Sequence, residues 1–203
     1  KFPMREKLPS VYSTEEITII GSTINRKGLS GKCFYTAFLL GAILGLRRSD
    51  IINLTFSNID WEHNTISLFQ EKTKKRVKLP LTKEVGSATI DYLKNERKND
   101  CADKHVFLTL KPPFQKMSVN TLYVGIQTAI WASGVNVERR YHGIHAMRHS
   151  LATRLLKDGQ PLPMIVNVLG HSSSNSTKSY LRVDMDGLKK MLASHTPRPF
   201  DVL

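Results

Sequence analysis

The sequence contains no apolar run long enough to cross a membrane. The nearest candidate, residues 34–46, is shorter than the ~18 residues of a spanning helix and ends at Arg47 and Arg48. The first residues also lack the pattern of a signal peptide. We therefore expect no membrane partner. Because the chain starts with Lys1 rather than Met, we also expect it to be a fragment of a longer protein.

Several reactive groups are scarce or missing. The two cysteines, Cys33 and Cys101, lie far apart in unlike contexts, which indicates neither a disulfide framework nor a zinc site and fits a reducing cytosol. The sequence has no Gly-x-x-x-x-Gly-Lys loop for ATP and no carboxylate cluster of the kind that a two-metal nuclease needs. We expect a cytoplasmic protein whose chemistry uses neither a metal ion nor ATP.

Acidic residues are few compared with basic ones. The chain has 17 Asp and Glu against 30 Lys and Arg, which gives a formal net charge of +13 at pH 7. Such an excess attracts a polyanion from a distance and releases condensed counterions on contact. Charge alone leaves two interpretations open, a nucleic-acid-binding protein and a protein with a merely basic surface.

Hydrophobic periodicity predicts a mainly α protein with one small three-stranded antiparallel sheet. A capping box at Ser13 to Glu16 begins a first helix that reaches about residue 25. An apolar and therefore buried helix follows at 32–45, ended by Gly45, and Ser49 caps a short helix through Asn53. The predicted strands are Ile59–Trp61, Thr65–Gln70 and Arg76–Leu81. Later helices are predicted at 83–98, 118–133, 145–158, 162–169, 174–182 and 186–194.

The chain shows no internal repeat and no internal linker. Residues 1–12, polar and with two prolines, are interpreted as the remnant of an interdomain linker. We expect residues 13–194 to form one domain and residues 195–203 to form a C-terminal tail.

Two basic motifs in the first half suggest phosphate chemistry. Arg47 stands at a helix junction with Asp50 three residues later, a spacing that alone is most often a surface ion pair. Five cations fall within residues 72–78 at the tip of a predicted hairpin. They form either a solvated turn that discourages edge pairing or a basic finger on a DNA backbone.

Three motifs follow in the second half. His145 and Arg148 share one face at the start of a helix, where a guanidinium and an imidazole can grip the same phosphate, although a capped helix start explains them equally well. Leu169-Gly170-His171 is a glycine turn that presents a histidine. Tyr180 follows His171 by nine residues and, alone, is typical of half-buried packing.

Taken in order, these motifs resemble those of the tyrosine recombinase family, the phage and transposon integrases and the Xer proteins. The resemblance runs from the Lys-Leu-Pro segment at 7–9 to beyond Tyr180 and includes the strand at 77–81. It implies the family's catalytic-domain fold and a site-specific recombinase that cuts and rejoins DNA through a 3′-phosphotyrosine. The segment 13–194 is then the catalytic domain, without the family's N-terminal DNA-binding domain.

The resemblance also implies a role for each motif residue. Tyr180 is the nucleophile, Arg47 and Arg148 clamp the phosphate, and His145 and His171 complete the cradle. Lys72 is the general acid, with Lys74 and Lys75 as rivals that only spacing disfavours. Asp50 supports the site from a position more often occupied by glutamate. The expected contacts to the DNA backbone are Lys74, Lys75 and Arg76.

The partners implied are a double-stranded recombination site, a homotetramer on DNA and accessory DNA-bending or directionality factors, at the nucleoid of a bacterium. The tail docks either into a neighbouring protomer or in cis, through the apolar residues Leu188, Met191, Leu192 and Phe200. Three alternatives to an integrase of a mobile element stay open. They are Xer-type chromosome or plasmid resolution, a type IB-like topoisomerase or hairpin-forming resolvase, and a binding module that has lost catalysis.

Overall fold

The computed structural model describes residues 11–99, 101–138 and 140–170. A single 3₁₀ turn covers Phe56–Asn58. The strands are β1 (Ile59–Asp60), β2 (Thr65–Gln70) and β3 (Lys75–Pro80). The helices are α1 (Thr14–Thr23), α2 (Gly31–Ala42), α3 (Arg48–Ile52), α4 (Lys83–Asn95), α5 (Val119–Ala132), α6 (Ile144–Lys157) and α7 (Leu162–Leu169). The mainly α prediction with one small antiparallel sheet is confirmed. The helices predicted at 174–182 and 186–194 lie outside the described residues, and no described helix is long and apolar enough to span a membrane.

Helix α2 is the centre of the domain. Nine of its twelve residues are buried, because all its side chains except that of Lys32 are apolar, aromatic or small. It packs against α1, α3, α4, α5 and α6. The predicted burial of this segment is confirmed, and the helix provides the core on which the site-bearing elements rest.

The three strands form one antiparallel sheet in the order β1-β2-β3. Ile66 pairs with Leu79 and Leu68 pairs with Val77, so these four apolar side chains point to the buried face. Asn64 and Lys74 adopt left-handed backbone conformations in the two connecting turns, as the predicted turn positions require. The second turn holds the lysine cluster at one end of the sheet.

Several predicted boundaries differ from the structure by one or two residues. Three further differences concern the end of α2, the cap of α3 and the end of α4. Helix α2 ends at Ala42 rather than at Gly45, and Gly45 instead reverses the chain with a positive φ of 66°. Arg47, not Ser49, is the N-cap of α3, so the predicted Ser49 cap is wrong. Helix α4 ends at Asn95, three residues early, where the Glu96 carboxylate turns back to accept hydrogen bonds from the first turn of α2.

The N-terminal end of the described chain is attached to helix α6. Tyr12 is buried, and its backbone N–H donates to Ser150 Oγ at 2.8 Å. Arg140 stacks over the Tyr12 ring with its guanidinium carbon 3.8 Å from the ring centroid, and it forms an ion pair with Glu16 at 2.7 Å. These contacts hold α1, α6 and the loop before α6 together. The linker assigned to residues 1–12 stays a prediction, although Tyr12 itself packs in the core.

Candidate active site

Arg47 lies at the junction between α2 and α3, where its guanidinium is held on two sides. Nη1 donates to Gln70 Oε1 at 2.7 Å, and Nη2 donates to the Gly170 carbonyl at 3.3 Å. The Arg47 side chain is 14% exposed to solvent. Arg47 is thus fixed by the end of β2 and the end of α7, with part of its guanidinium open to a ligand.

Asp50 lies below Arg47 with a fully buried side chain. Its Oδ2 is 3.7 Å from Arg47 Nη1, an ion-pair distance beyond a hydrogen bond, and its Oδ1 accepts from the Glu71 N–H at 3.4 Å. Burial raises the pKa of this carboxyl, and the charge of Arg47 opposes that shift. The position suits the supporting role predicted for Asp50, since the carboxylate faces Arg47 from inside the protein.

Arg148, in the second turn of α6, is 2% exposed. Its guanidinium donates to the carbonyls of Gly45, in the α2–α3 junction, and of Leu169, at the end of α7. A buried guanidinium needs such acceptors, because an unpaired charge in the protein interior is strongly destabilising. Arg148 therefore joins α6 to the α2–α3 junction and to α7.

His145 stands in the first turn of α6 with its side chain exposed. Burial of part of the ring lowers its pKa, and the charges of Arg148, Arg48, Lys72 and Arg47 lower it further. The cations that lower this pKa come from helix α6, the start of α3 and the hairpin turn. At neutral pH the unliganded ring is held neutral, so one nitrogen can donate while the other accepts.

Arg47 and His145 line a concave pocket of about 300 Å³. We call it the basic pocket, lined by Arg47, Arg48, Ser49, Lys72, Val119 and His145. None of these lining residues carries a carboxylate. The pocket suits an anion, because three cationic side chains and an imidazole converge on a site that no lining acid neutralises.

The remaining cations of the hairpin lie elsewhere. Lys75 and Arg76, at the start of β3, line a separate cleft of about 240 Å³ together with Lys78 and the last residues of α7. Lys74 occupies the turn itself with a φ of 53°. Among the three rival lysines of this turn, Lys72 alone lines the basic pocket. Lys75 and Arg76 face the neighbouring surface, where contacts to a polyanion backbone remain a prediction.

Sequence reasoning missed three residues of this site. Gln70 is fully buried and bonded to Arg47, Arg48 lines the pocket with its guanidinium 5.0 Å from the Tyr123 ring centroid, and His149 contacts His145. Arg48 and His149 are adjacent in sequence to the motif residues Arg47 and Arg148, and this adjacency is a signal that could have identified them. No local pattern marks Gln70, because its role depends on a residue 23 positions away.

His171 and Tyr180 lie outside the described residues, as does the apolar set predicted for the tail. Gly170, which precedes His171, ends α7 in a left-handed conformation with φ 59°, as a glycine turn requires. Within residues 11–170, apart from 100 and 139, no group of three or more His, Cys, Asp or Glu is placed to hold a metal ion. Both described cysteines are free thiols.

Comparison with known proteins relates most of the chain to integrases and recombinases. The model of the phage integrase family matches residues 13–186. The protein y4gC of Sinorhizobium fredii, named an integrase/recombinase, is 32% identical over 183 residues that cover 90% of this chain and 93% of y4gC. Tyrosine recombinase XerC of Bacillus pumilus is 32% identical over 202 residues, which cover 96% of this chain and 64% of XerC. The chain thus spans less than two thirds of XerC.

Solved structures show the same fold. The XerA recombinase superposes with a TM-score of 0.75 at 22% identity, covering 94% of this chain and 67% of XerA. A lambda integrase tetramer bound to a Holliday junction superposes with a TM-score of 0.62 at 17% identity, covering 84% of this chain and 47% of the integrase chain. At these identities the likeness establishes the architecture, and the chemistry depends on the residues described above.

Proposed function

The chain belongs to the phage integrase family, and on this premise we propose that it is the catalytic domain of a site-specific DNA recombinase. The reaction proposed is strand cleavage and rejoining through a 3′-phosphotyrosyl bond to Tyr180, for integration and excision of a mobile element. Xer-type resolution is the alternative within the family.

One observation carries the proposal: the basic pocket brings Arg47, Lys72 and His145 together from the α2–α3 junction, the hairpin turn and helix α6. Arg148, three residues after His145 on the same helix, is buried outside the pocket lining, and its charge lowers the pKa of that histidine. A phosphoryl transition state requires positioning and charge stabilisation more than covalent assistance. Three groups from separate parts of the chain, Arg47, Lys72 and His145, converge where a phosphodiester would need them.

In the proposed step, the Tyr180 oxygen attacks the scissile phosphorus and the bond from phosphorus to the 5′ oxygen breaks. Arg47 and Arg148 stabilise the non-bridging oxygens, with His171 completing the cradle. His145 accepts the phenol proton, and Lys72 donates a proton to the departing 5′ oxygen. Because the phenol has an ordinary pKa of about 10, the surrounding positive charge is needed to favour the phenolate.

This chemistry needs neither a metal ion nor ATP. The cations of the basic pocket supply the charge that a metal would otherwise supply, and the phosphotyrosyl ester keeps the energy of the phosphodiester for rejoining. Asp50 supports Arg47 from the interior without entering the reaction.

The proposed partners are a double-stranded recombination site and three further copies of the protein. Lys74, Lys75 and Arg76 would contact the DNA backbone beside the pocket. The lambda integrase neighbour is a tetramer on a Holliday junction, which supports a tetrameric assembly here. We also propose accessory DNA-bending or directionality factors and a location at the bacterial nucleoid in the cytoplasm. Residues 195–203 are proposed to dock into a neighbouring protomer.

The test is covalent trapping. The full-length protein is incubated with a nicked suicide duplex that carries its recombination site, with and without a chelator, and protein–DNA adducts are resolved under denaturing conditions. We expect an adduct with the wild type in both conditions and none with Tyr180→Phe. An adduct with Tyr180→Phe would refute the assignment of Tyr180 as the nucleophile. Strict dependence of cleavage on Mg²⁺ would refute the metal-free mechanism. Absence of any wild-type adduct would favour a DNA-binding module without catalysis.

A further inference from the structure

Gln70, the last residue of β2, is a neutral polar side chain with no exposure to solvent. Its Oε1 accepts hydrogen bonds from Arg47 Nη1 at 2.7 Å and from Thr73 Oγ1 at 2.9 Å, and its Nε2 faces the Leu169 carbonyl at 3.4 Å. These partners fix the amide orientation, because a flipped amide would point its NH₂ group at a guanidinium. Burying an amide is costly unless it is bonded, so this arrangement needs an explanation.

The same nitrogen of Arg47 also faces Asp50, and the two contacts differ in kind. Asp50 Oδ2 stays 3.7 Å from Nη1, whereas Gln70 Oε1 forms a true hydrogen bond at 2.7 Å. A carboxylate at the position of Gln70 would hold Arg47 equally well but would compete with a bound anion for its charge. The amide orients the guanidinium and leaves its positive charge available.

Gln70 is also connected to the second buried arginine. The Leu169 carbonyl that faces Gln70 Nε2 accepts a hydrogen bond from Arg148. The adjacent Gly170 carbonyl accepts from Arg47 Nη2, and a side chain at Gly170 would collide with the Gln70 amide. Both arginines are therefore positioned against the same end of α7, with Gln70 between them.

We propose that Gln70 is a positioning residue, which sets the orientation of the Arg47 guanidinium toward the scissile phosphate without adding a second negative charge beside that of Asp50. The proposal rests on the proposed recombinase function and names a residue on which its phosphate-binding step depends. Gln70 acts through Arg47 and does not itself contact the reacting atoms.

The experiment measures adduct formation by the full-length protein on the suicide duplex. The variants are Gln70→Glu, which adds a carboxylate at nearly constant shape, and Gln70→Met, which removes the hydrogen bond without adding charge. Gln115→Glu is the matched control, because it makes the same charge change at an exposed loop position outside the basic pocket. Each variant is also unfolded with urea, so that losses of activity are compared in equally folded samples.

We expect Gln70→Glu to slow cleavage about 100-fold or more, Gln70→Met to slow it about 10-fold, and Gln115→Glu to stay within about threefold of the wild type. A duplex with a neutral methylphosphonate at the scissile position separates positioning from folding. With the phosphate charge removed, the arginine charge is no longer needed, so the defect of Gln70→Glu should shrink to less than about 10-fold.

Two results would overturn the proposal: equal cleavage by Gln70→Glu and the wild type, or an identical loss on phosphate and methylphosphonate duplexes that follows the loss of stability. If the wild type itself forms no adduct, the proposed function fails instead. The two failures are therefore distinguishable within one set of reactions.

Discussion

The Nε2 atoms of His145 and His149 lie 2.9 Å apart across one turn of α6. Their rings meet edge to face, with centroids 4.4 Å apart and an angle of 89° between the planes. One nitrogen must donate and the other accept, so two protonated rings cannot keep this contact. Burial, together with the nearby His145 and Arg148, lowers the pKa of His149 to about 4.

This lowered pKa predicts a pH-dependent stability. Between about pH 6.5 and pH 4 the unfolded chain binds a proton at His149 that the folded chain does not, so the free energy of unfolding falls as pH falls through that window. His149 accounts for at most about 3 kcal/mol of this loss. Urea unfolding at pH 7.5 and pH 5 measures it. The pH dependence should be smaller in His149→Gln, and an unchanged dependence would contradict the assignment.

Lys72 is predicted to act as the general acid. Lys72→Ala should slow adduct formation about 100-fold or more, and a 5′-thiol leaving group, which needs less protonation, should restore most of the rate. Lys74→Ala and Lys75→Ala are the controls, because these lysines do not line the basic pocket. They should show weaker DNA binding and no rescue by the thiol. If the thiol restored the rate of either control but not that of Lys72→Ala, the general acid would be the lysine replaced in that control.

Glu96 caps helix α2 from a distant part of the chain. Its carboxylate accepts from the backbone N–H groups of Lys32 at 2.9 Å and Cys33 at 3.0 Å. Glu96→Ala leaves both donors without this partner and should lower the free energy of unfolding by about 1–3 kcal/mol. Urea unfolding checks this value against Glu62→Ala, an exposed position where we expect less than about 0.5 kcal/mol. Equal values for the two variants would refute the cap.

Gly45 and Gly134 provide a matched pair of substitutions, since both have φ near 70°. A Cβ at Gly45 would lie 2.8 Å from Leu169 Cδ2 and 2.9 Å from Leu151 Cδ2, whereas a Cβ at Gly134 would meet nothing within 4 Å. Gly134→Ala should therefore lower the free energy of unfolding only by the cost of the backbone strain. Gly45→Ala should lower it by about 1–3 kcal/mol more, because the added methyl group is overpacked. Thermal and urea unfolding measure the difference. Gly45→Ala should also slow cleavage, because the Gly45 carbonyl holds Arg148.

Local chemistry was enough to predict most of the elements. The capping box at Ser13 and Glu16 forms as expected, and α7 covers the predicted residues and ends at a left-handed Gly170. At two of the wrong boundaries, a contact from a distant part of the chain lies near the end of the helix. Helix α4 stops at Asn95 because the Glu96 side chain turns toward α2, and α2 stops before Gly45, whose reversal brings a carbonyl to Arg148.

The sequence by itself determined the family, the helical class, and the order and identity of the cations that can bind a phosphate. The tertiary structure decided which of them meet: Lys72 in the basic pocket with Arg47 and His145, and Lys75 outside it. It also decided that Arg47 donates a hydrogen bond to the neutral side chain of Gln70, which lies 23 residues later in the sequence. Such contacts depend on how the sheet and α7 pack together, and side-chain spacing along one element does not encode that geometry.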